Sequence, residues 1–323
     1  VVVNANNAME LDWVDKYEQI GAVIFAPGAG ATGFEALGEI INGSVNPSGK
    51  TVDTFVKDLT ETPYYNNMGL NAYTNVNDPA YEGSMGFVNY AEGIYVGYKF
   101  YETAAEEGLI KYEDMVQYPF GYGLSYTTFD KQIENFKDNG DTVTFDVTVE
   151  NTGSVAGKDV VEIYYTAPYT NGGIEKAAAN LIAFEKTDSI EPGESQTKSF
   201  TINKEDMASY DSEGIKISGG GYILEAGEYT ISLRSDSHTV LGEEKFTVDE
   251  DIDYSKDGRS SDKTVATNQF EDYARGDFEQ LSREDGFANY DKACGVPEED
   301  AYVMSDETRA AVEENVFGIY DGT

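Results

Sequence analysis

The hydrophobic and polar positions fall into three textures along the chain. The first opens with Val1–Val3, a bare apolar run of the kind that fills a buried parallel strand. Met9, Leu11, Trp13, Val14 and Tyr17 follow at mixed spacing and predict a short helix, and Ile20–Phe25 is a second β-rich run. Strand, helix and strand at such short intervals predict an α/β layer with parallel strands. After Ala26-Pro27-Gly28-Ala29-Gly30-Ala31-Thr32-Gly33, a further helix carries Phe34, Ala36, Leu37, Ile40 and Ile41. From Lys57 to Asn89 periodicity fades in a stretch rich in Asn, Tyr, Gly and Pro, which predicts a long loop. Loops of that length inside compact domains tend to carry function or to move.

The second texture runs from Asp141 to Val248 and alternates with a period of two. Strands are predicted at Thr142–Glu150, Asp159–Thr166, Asn180–Lys186, Ser195–Ile202, Tyr229–Arg234 and Glu244–Val248, separated by turn signals such as Asn151-Thr152-Gly153-Ser154 and Glu191-Pro192-Gly193-Glu194. About seven strands in ~100 residues at this spacing predict an immunoglobulin-like β-sandwich. No Cys–Trp–Cys pattern centres it on a disulfide. The third texture, Glu250 to Thr323, holds 20 acidic against seven basic residues and few β runs, which predicts an irregular acidic tail rather than a third core. Within it, Thr308, Ala311, Val312, Asn315 and Val316 place one short amphipathic helix between Asp306 and Phe317.

The first two textures meet at Tyr118-Pro119-Phe120-Gly121-Tyr122-Gly123-Leu124-Ser125-Tyr126-Thr127-Thr128-Phe129. Three aromatics and two glycines in six residues make a tight crossing, and the alternation from Leu124 to Phe129 reads as the start of a strand. The boundaries that follow are an α/β part at 1–130, a β-sandwich at 131–249 and the tail at 250–323.

Composition narrows the chemistry. A length of 323 residues with 40% hydrophobic content is enough for one large core or two to three small ones. A formal net charge of −38 excludes nucleic acid and anionic membrane surfaces as partners, since both would be repelled. Neutral sugars are indifferent to it. The single cysteine, Cys294, rules out an internal disulfide and a cysteine-based zinc site. No run approaches a membrane span and no basic-then-apolar leader opens the chain, so the compartment stays open between a bacterial cytoplasm and secretion. An opening Val run without an initiator Met is expected of a processed product or a piece cut inside a domain.

Few residues are candidates for chemistry. The Gly28–Gly33 loop before a helix could cradle a phosphate, but its spacing is neither the dinucleotide pattern nor a P-loop and no Lys follows in place. The lone His238 falls on a predicted strand edge with no Ser or Cys constellation, so a solvent-facing residue is expected rather than a base. Tyr64, Tyr65, Tyr73 and Tyr81 could stack on sugar rings or simply cover the sheet. Glu92 and Lys99 read as an ion pair or as part of a site rim.

The dodecapeptide resembles the junction motif of glycoside hydrolase family 3, the β-glucosidase-like enzymes. Glu92-Gly93-Ile94-Tyr95-Val96-Gly97-Tyr98-Lys99-Phe100-Tyr101 is similar to that family's Glu-Gly-Ile-Tyr-Val-Gly-Tyr-Arg-Tyr-Tyr segment almost residue for residue. Asn42-Gly43-Ser44-Val45-Asn46-Pro47-Ser48-Gly49-Lys50 looks like its Gly-Asp-Val-Asn-Pro-Ser-Gly-Arg loop, with Asn42 and Ser44 departing from the usual pattern. Asn151-Thr152-Gly153-Ser154-Val155-Ala156-Gly157-Lys158-Asp159 resembles its fibronectin III-like domain, and Arg259–Asp262 with Asn268–Phe270 and Leu281–Arg283 the connector of its rearranged members, in which the (β/α)8 barrel comes last.

The resemblance implies a partial α/β sandwich followed by a fibronectin III-like β-sandwich. It also implies that the nucleophilic Asp lies on a barrel and the acid/base Glu upstream of the segment matching Val1–Val3, so residue-by-residue transfer gives no catalytic residue. No cofactor or metal ligand is implied. Tyr64, Tyr65, Glu92 and Lys99 remain candidates for the substrate rim, the barrel of the same parent protein is the implied partner, and a carbohydrate the implied ligand. The expectation is the non-barrel part of a β-glucosidase or β-xylosidase, inactive alone. A stand-alone carbohydrate-binding or protein-interaction module derived from such an enzyme is the alternative, and a phosphate-binding protein a distant third.

Overall fold

The computed structural model describes residues 1–30, 32–69, 71–77, 84–267 and 279–310. In the first part, β1 (Val2–Val3) and β2 (Ile24–Phe25) pair in parallel, bridged by a 3-10 turn at Asp12–Lys16. Only the last two residues of the predicted Ile20–Phe25 run are strand. Val3, Leu11, Val14 and Phe55 form a small core, with Phe25 edge-on to Phe55 at 5.2 Å. Helix α1 (Gly33–Ile41) buries none of its residues, and Phe34 and Ile41 are more than half exposed.

Strand β3 (Phe55–Val56) precedes a hairpin of β4 (Asn71–Asn77) and β5 (Ser84–Phe87). The stretch from Lys57 to Asn89 is therefore not the structureless loop predicted from its composition. The polar strand β4 carries little hydrophobic alternation, and its Asn75 side chain bonds far along the chain. Met304 exchanges two hydrogen bonds with the Asn75 side chain, at 2.8 and 2.9 Å, and the Tyr302 ring sits edge-on to Phe87 at 5.5 Å. Tyr81 lies outside the described residues.

Helices α2 (Tyr98–Glu106) and α3 (Tyr112–Met115) lead into β6 (Val116–Tyr118), which pairs antiparallel with β3. The junction then crosses. Gly121 has φ +82°, and a Cβ there would lie 2.3 Å from a Glu162 carboxylate oxygen; at Gly123 it would meet the Gly49 carbonyl at 2.1 Å. Both positions need glycine because the chains touch there. The predicted strand from Leu124 begins only at Phe129, because Ser125 Oγ and the Tyr126 amide donate to Asn46 Oδ1 at 2.9 and 2.8 Å instead of to a neighbouring strand.

Strands β7 (Phe129–Asp138), β8 (Thr142–Asn151), β9 (Val160–Thr166), β10 (Asn180–Lys186) and β11 (Ser195–Asn203) follow. A small flanking sheet takes β12 (Ser209–Asp211), β13 (Gly221–Leu224) and, later, β16 (Ile252–Asp253), while β14 (Gly227–Arg234) and β15 (Val240–Val248) complete the sandwich. Its sheets run β10-β9-β14-β15 and β11-β8-β7. Val143, Phe145, Val147 and Val149 of β8 face Val161, Ile163, Ile231 and Leu233 across the core, as the alternation predicts.

The outer face of β9 and β14 is also buried. Glu162, Tyr164, Ser232 and Arg234 are each no more than 8% exposed because the first part docks on them, Tyr98 stacking on Phe120 at 4.9 Å and meeting Tyr164 edge-on. From residue 279 the chain returns across this joint and forms α4 (Tyr290–Ala293). Leu281, Phe287, Ala293 and Cys294 enter the same core as Tyr95, Phe100 and Tyr112, so this segment completes the first part rather than hanging from it as a peripheral tail. Arg283, 4% exposed, donates to Glu106, Glu107 and the Lys176 carbonyl, tying the return to both parts. Of the predicted helix between Asp306 and Phe317, residues 306–310 are helical and the rest lies outside the described residues.

Candidate functional site

The turn before α2 carries the candidate rim. Tyr95 is driven inward, packing edge-on against Phe287 at 4.9 Å and donating its hydroxyl to Glu175, which also accepts from Ser282 Oγ at 2.5 Å and the Arg283 amide at 3.0 Å. This anchor holds Glu92 three residues earlier at a half-buried position, within electrostatic reach of Tyr64, Tyr101, Tyr290 and Cys294.

Burial raises the Glu92 carboxyl above its ordinary value, with no neighbouring charge to offset it. Its own charge in turn contributes to raising the three tyrosines, mainly lifted by burial; Tyr290 is pushed up to about 12. The Cys294 thiol is pushed up to about 12 as well, by burial first and Glu92 second, which makes it a poor nucleophile at neutral pH. Asp53 also bears on Tyr64 and Tyr101. The result is a half-desolvated carboxyl whose field reaches three phenols that burial keeps neutral.

The four sequence candidates are thus only partly brought together. Tyr64 lies within electrostatic reach of Glu92, and Tyr65, on the adjoining 3-10 turn, is 39% exposed. Lys99 stands apart on α2, its ammonium lowered by burial alone. The expected Glu92–Lys99 ion pair does not form, and neither charged group has a partner among the described residues. Tyr101 and Tyr290 were not singled out from sequence. The first lay inside a quoted motif, but nothing in the chain signals that Tyr290, far from Glu92 in sequence, would join it.

Among the described residues, no group of three or more His, Cys, Asp or Glu side chains could hold a metal ion. Two clefts lie elsewhere. One of about 260 Å³ is lined by Glu102, Glu106, Arg234 and Glu243, and one of about 140 Å³ by Gly172, Tyr210, Ser212 and Glu213. No described helix is long and apolar enough to cross a membrane.

His238 is solvent-exposed, as expected from sequence, but it does not lie on a strand. It sits in the turn between β14 and β15, its Nδ1 2.9 Å from Glu102 Oε2 and its ring stacked at 3.6 Å on Tyr112. Glu102 and Tyr112 belong to the first part, so their contact with the turn could not be read from the neighbours of residue 238.

An α/β part joined by a glycine-aromatic crossing to a 4+3 β-sandwich defines a class of architecture, and comparison with known proteins says which. Residues 1–98 match the glycosyl hydrolase family 3 C-terminal domain, and residues 159–237 the fibronectin type III-like domain. The chain belongs to glycoside hydrolase family 3, of which it carries the C-terminal part of the α/β domain and the fibronectin III-like domain. It is 37% identical to β-glucosidase A of Butyrivibrio fibrisolvens over 72% of its own length and 27% of the relative's. To a β-glucosidase of Ruminococcus albus it is 35% identical, over 77% of this chain and 24% of that one. The solved structure of β-glucosidase from Kluyveromyces marxianus in complex with glucose superposes with a TM-score of 0.65 at 29% identity, over 78% of this chain and 26% of that chain. β-Glucosidase 3B from Thermotoga neapolitana in complex with glycerol gives 0.64 at 32% identity, over 78% and 31%. The chain thus spans about a quarter to a third of the proteins it matches.

Proposed function

We propose that this chain is the non-barrel portion of a family 3 enzyme that hydrolyses O-glycosidic bonds of β-glucosides or β-xylosides. It supplies one wall of the active site and the scaffold that holds it, while a (β/α)8 barrel in the same parent protein carries the nucleophile. The observation behind this reading is the pairing of matches: both non-barrel domains of the family, in order, and relatives over about three quarters of the chain that are β-glucosidases. Tyr64, Tyr65 and Glu92 form the substrate rim in this reading, with Lys99 a more distant contributor.

Hydrolysis by a retaining mechanism needs two carboxyl groups about 5–5.5 Å apart, one as nucleophile and one as acid/base. Transfer from the family assigns neither to a residue of this chain, and the isolated chain is therefore expected to be inactive. The test is hydrolysis of p-nitrophenyl β-glucoside and β-xyloside by the pure chain, alone and mixed with a separately made family 3 barrel. Turnover only on mixing supports the scaffold role. Turnover by the chain alone overturns it and directs attention to Glu92 and Asp53. No turnover in either case, together with saturable glucose binding followed through Trp13 and tyrosine fluorescence, favours a binding module instead.

A further inference from the structure

The chain has one histidine, and it stands where the two parts lock together. The turn Ser235–Thr239 projects from the sandwich and is gripped by three pieces of the first part. The Ser237 amide donates to the Phe120 carbonyl of the junction at 2.8 Å, and Ser237 Oγ donates to Glu102 Oε1 of α2 at 3.0 Å. His238 Nδ1 lies 2.9 Å from the other Glu102 oxygen, and its ring lies parallel to Tyr112 of α3, 6° from coplanar. The turn itself is pre-set. Asp236 Oδ1 accepts from the amides of His238 and Thr239 at 3.0 and 2.8 Å, and Arg234 Nη1 donates to the Ser237 carbonyl.

The charges are unevenly buried. The Glu102 side chain is 7% exposed, whereas that of His238 is 46% exposed and open to proton exchange with solvent. Arg234 is committed to Ser232 Oγ and the Ser237 carbonyl, not to Glu102. The Glu102 carboxylate is thus a buried charge whose bonded partners are a hydroxyl and an imidazole. A neutral imidazole can still donate one hydrogen bond from Nδ1, but only the imidazolium offers a countercharge.

We propose that His238 is a proton-controlled latch that clamps α2 and α3 onto the sandwich when charged and loosens that joint when neutral. The groups facing it are Glu102 from α2, Tyr112 from α3, Asp236 within the turn and Arg234 from β14. Glu102, first through its hydrogen bond, and Asp236 favour the charged ring, while burial and Arg234 oppose it; the balance lies above the ordinary histidine value. The docked state therefore holds the proton more tightly than the undocked one. The clamp is fully present below the ordinary value of about 6.5 and is lost as pH rises through the higher docked value.

Because the histidine is unique, the ring Cε1 proton gives one NMR titration curve for the whole 323-residue chain. The expected midpoint lies above about 6.5 and falls to that value or lower in Glu102→Gln, each pH unit of fall reporting a tenfold loss in the preference of the docked joint for the charged ring. A wild-type midpoint at or below about 6.5, or one that Glu102→Gln leaves in place, overturns the latch. The second arm is amide exchange of α2 and α3 at pH 5.5 and pH 8, corrected for intrinsic rates. Wild-type chain should be more protected at pH 5.5, and His238→Asn, which keeps an N–H donor but cannot take the charge, should lose that difference. An equal difference in both proteins overturns the proposal, and this arm decides the matter if Glu102→Gln fails to fold.

Discussion

Replacing Glu162 with Gln should stabilise the chain, and only above about pH 5. The side chain sits on the outer face of β9, 3% exposed, wedged against Gly121 of the junction. Its carboxylate accepts one hydrogen bond, from the Tyr164 hydroxyl at 2.8 Å. The nearest cations are already engaged: Lys50 and Lys131 both bind Asp159, at 3.1 and 3.0 Å, and offset the burial of Glu162 only in part. Burial therefore dominates and pushes this carboxyl from 4.5 up to about 7. Since the folded chain binds the proton more tightly than the unfolded chain, stability falls as pH rises between these two values and is flat beyond them. At about 1.4 kcal/mol per pH unit the ionised form costs on the order of 3 kcal/mol at pH 8. Gln keeps the shape and the acceptor for Tyr164 while carrying no charge. Urea unfolding followed by circular dichroism at pH 4.5, 6, 7 and 8 should show the variant matching wild type at pH 4.5 and pulling ahead with pH, by about 1 M in midpoint at pH 8. Taking the difference between the two proteins cancels every other titrating group. Parallel curves across this range, or a less stable variant at pH 8, would refute the reasoning and mean that the lysine pair fully compensates Glu162.

Gly123→Ala should destabilise by about 1–3 kcal/mol, because its Cβ would lie 2.1 Å from a backbone carbonyl that cannot swing away, whereas Gly49→Ala on the facing segment meets nothing within 4 Å and should unfold at nearly the wild-type urea concentration. Arg283→Ala should loosen the return segment, since it removes a buried guanidinium that bonds Glu106, Glu107 and the Lys176 carbonyl; with both carboxylates reachable by solvent the cost should be about 1–3 kcal/mol. The reporter is built in: Cys294, 3% exposed, should resist a thiol reagent in the native wild-type chain and react at least about tenfold faster in the variant. Tyr65→Ala, at a 39% exposed position, should leave stability within about 0.5 kcal/mol while weakening turnover of the chain reconstituted with a barrel; unchanged KM and kcat there would remove Tyr65 from the rim.

Six of the seven strands of the sandwich were readable because their signal is local; β7, which the boundary at 130/131 cuts, was not among them. In β8 the buried valines and Phe145 alternate with threonines and Asp146 along one stretch of chain, and the turns are spelled by Gly, Pro and Asn. The outer face of the opposite sheet was not readable. Glu162, Ser232 and Arg234 occupy the positions that the alternation assigns to solvent, and only the arrival of α2 and the junction buries them. The return segment was missed for a related reason. Its acidic composition describes Glu279, Glu284 and Asp291, all exposed, while Leu281, Arg283, Phe287 and Cys294 between them are buried against partners 100 to 200 residues upstream. Tyr64 and Glu92 were identified as candidates without any means of knowing that they adjoin, and the hairpin at 71–87 was hidden by a polar sequence whose bonds go to Tyr302 and Met304.

The two ends of the first part differ in a way that bears on the scaffold role. Where α2, α3 and the junction meet the sandwich, buried polar groups are gathered into a dense network: Glu102 with Ser237 and His238, Arg234 with Ser232, Asp159 with two lysines, Arg283 with two glutamates. Such a network orients because each bond lost leaves a buried partner exposed to no water, so the joint resists rotation. Away from that joint the balance reverses. Helix α1 buries nothing, Phe34, Ile41, Tyr90 and Val96 are exposed, and the charged ends of Glu92 and Lys99 have no partner among the described residues. A rigid joint on one side and unsatisfied apolar and half-buried charged groups on the other is what a scaffold would require if its free face is completed by another part of the same protein. Substitutions in the joint should then alter stability and domain orientation, and substitutions at Glu92 or Lys99 should matter only once a barrel is present. Equal effects of Glu92→Gln on the chain alone and on the reconstituted enzyme would mean that this carboxyl serves folding rather than the shared wall.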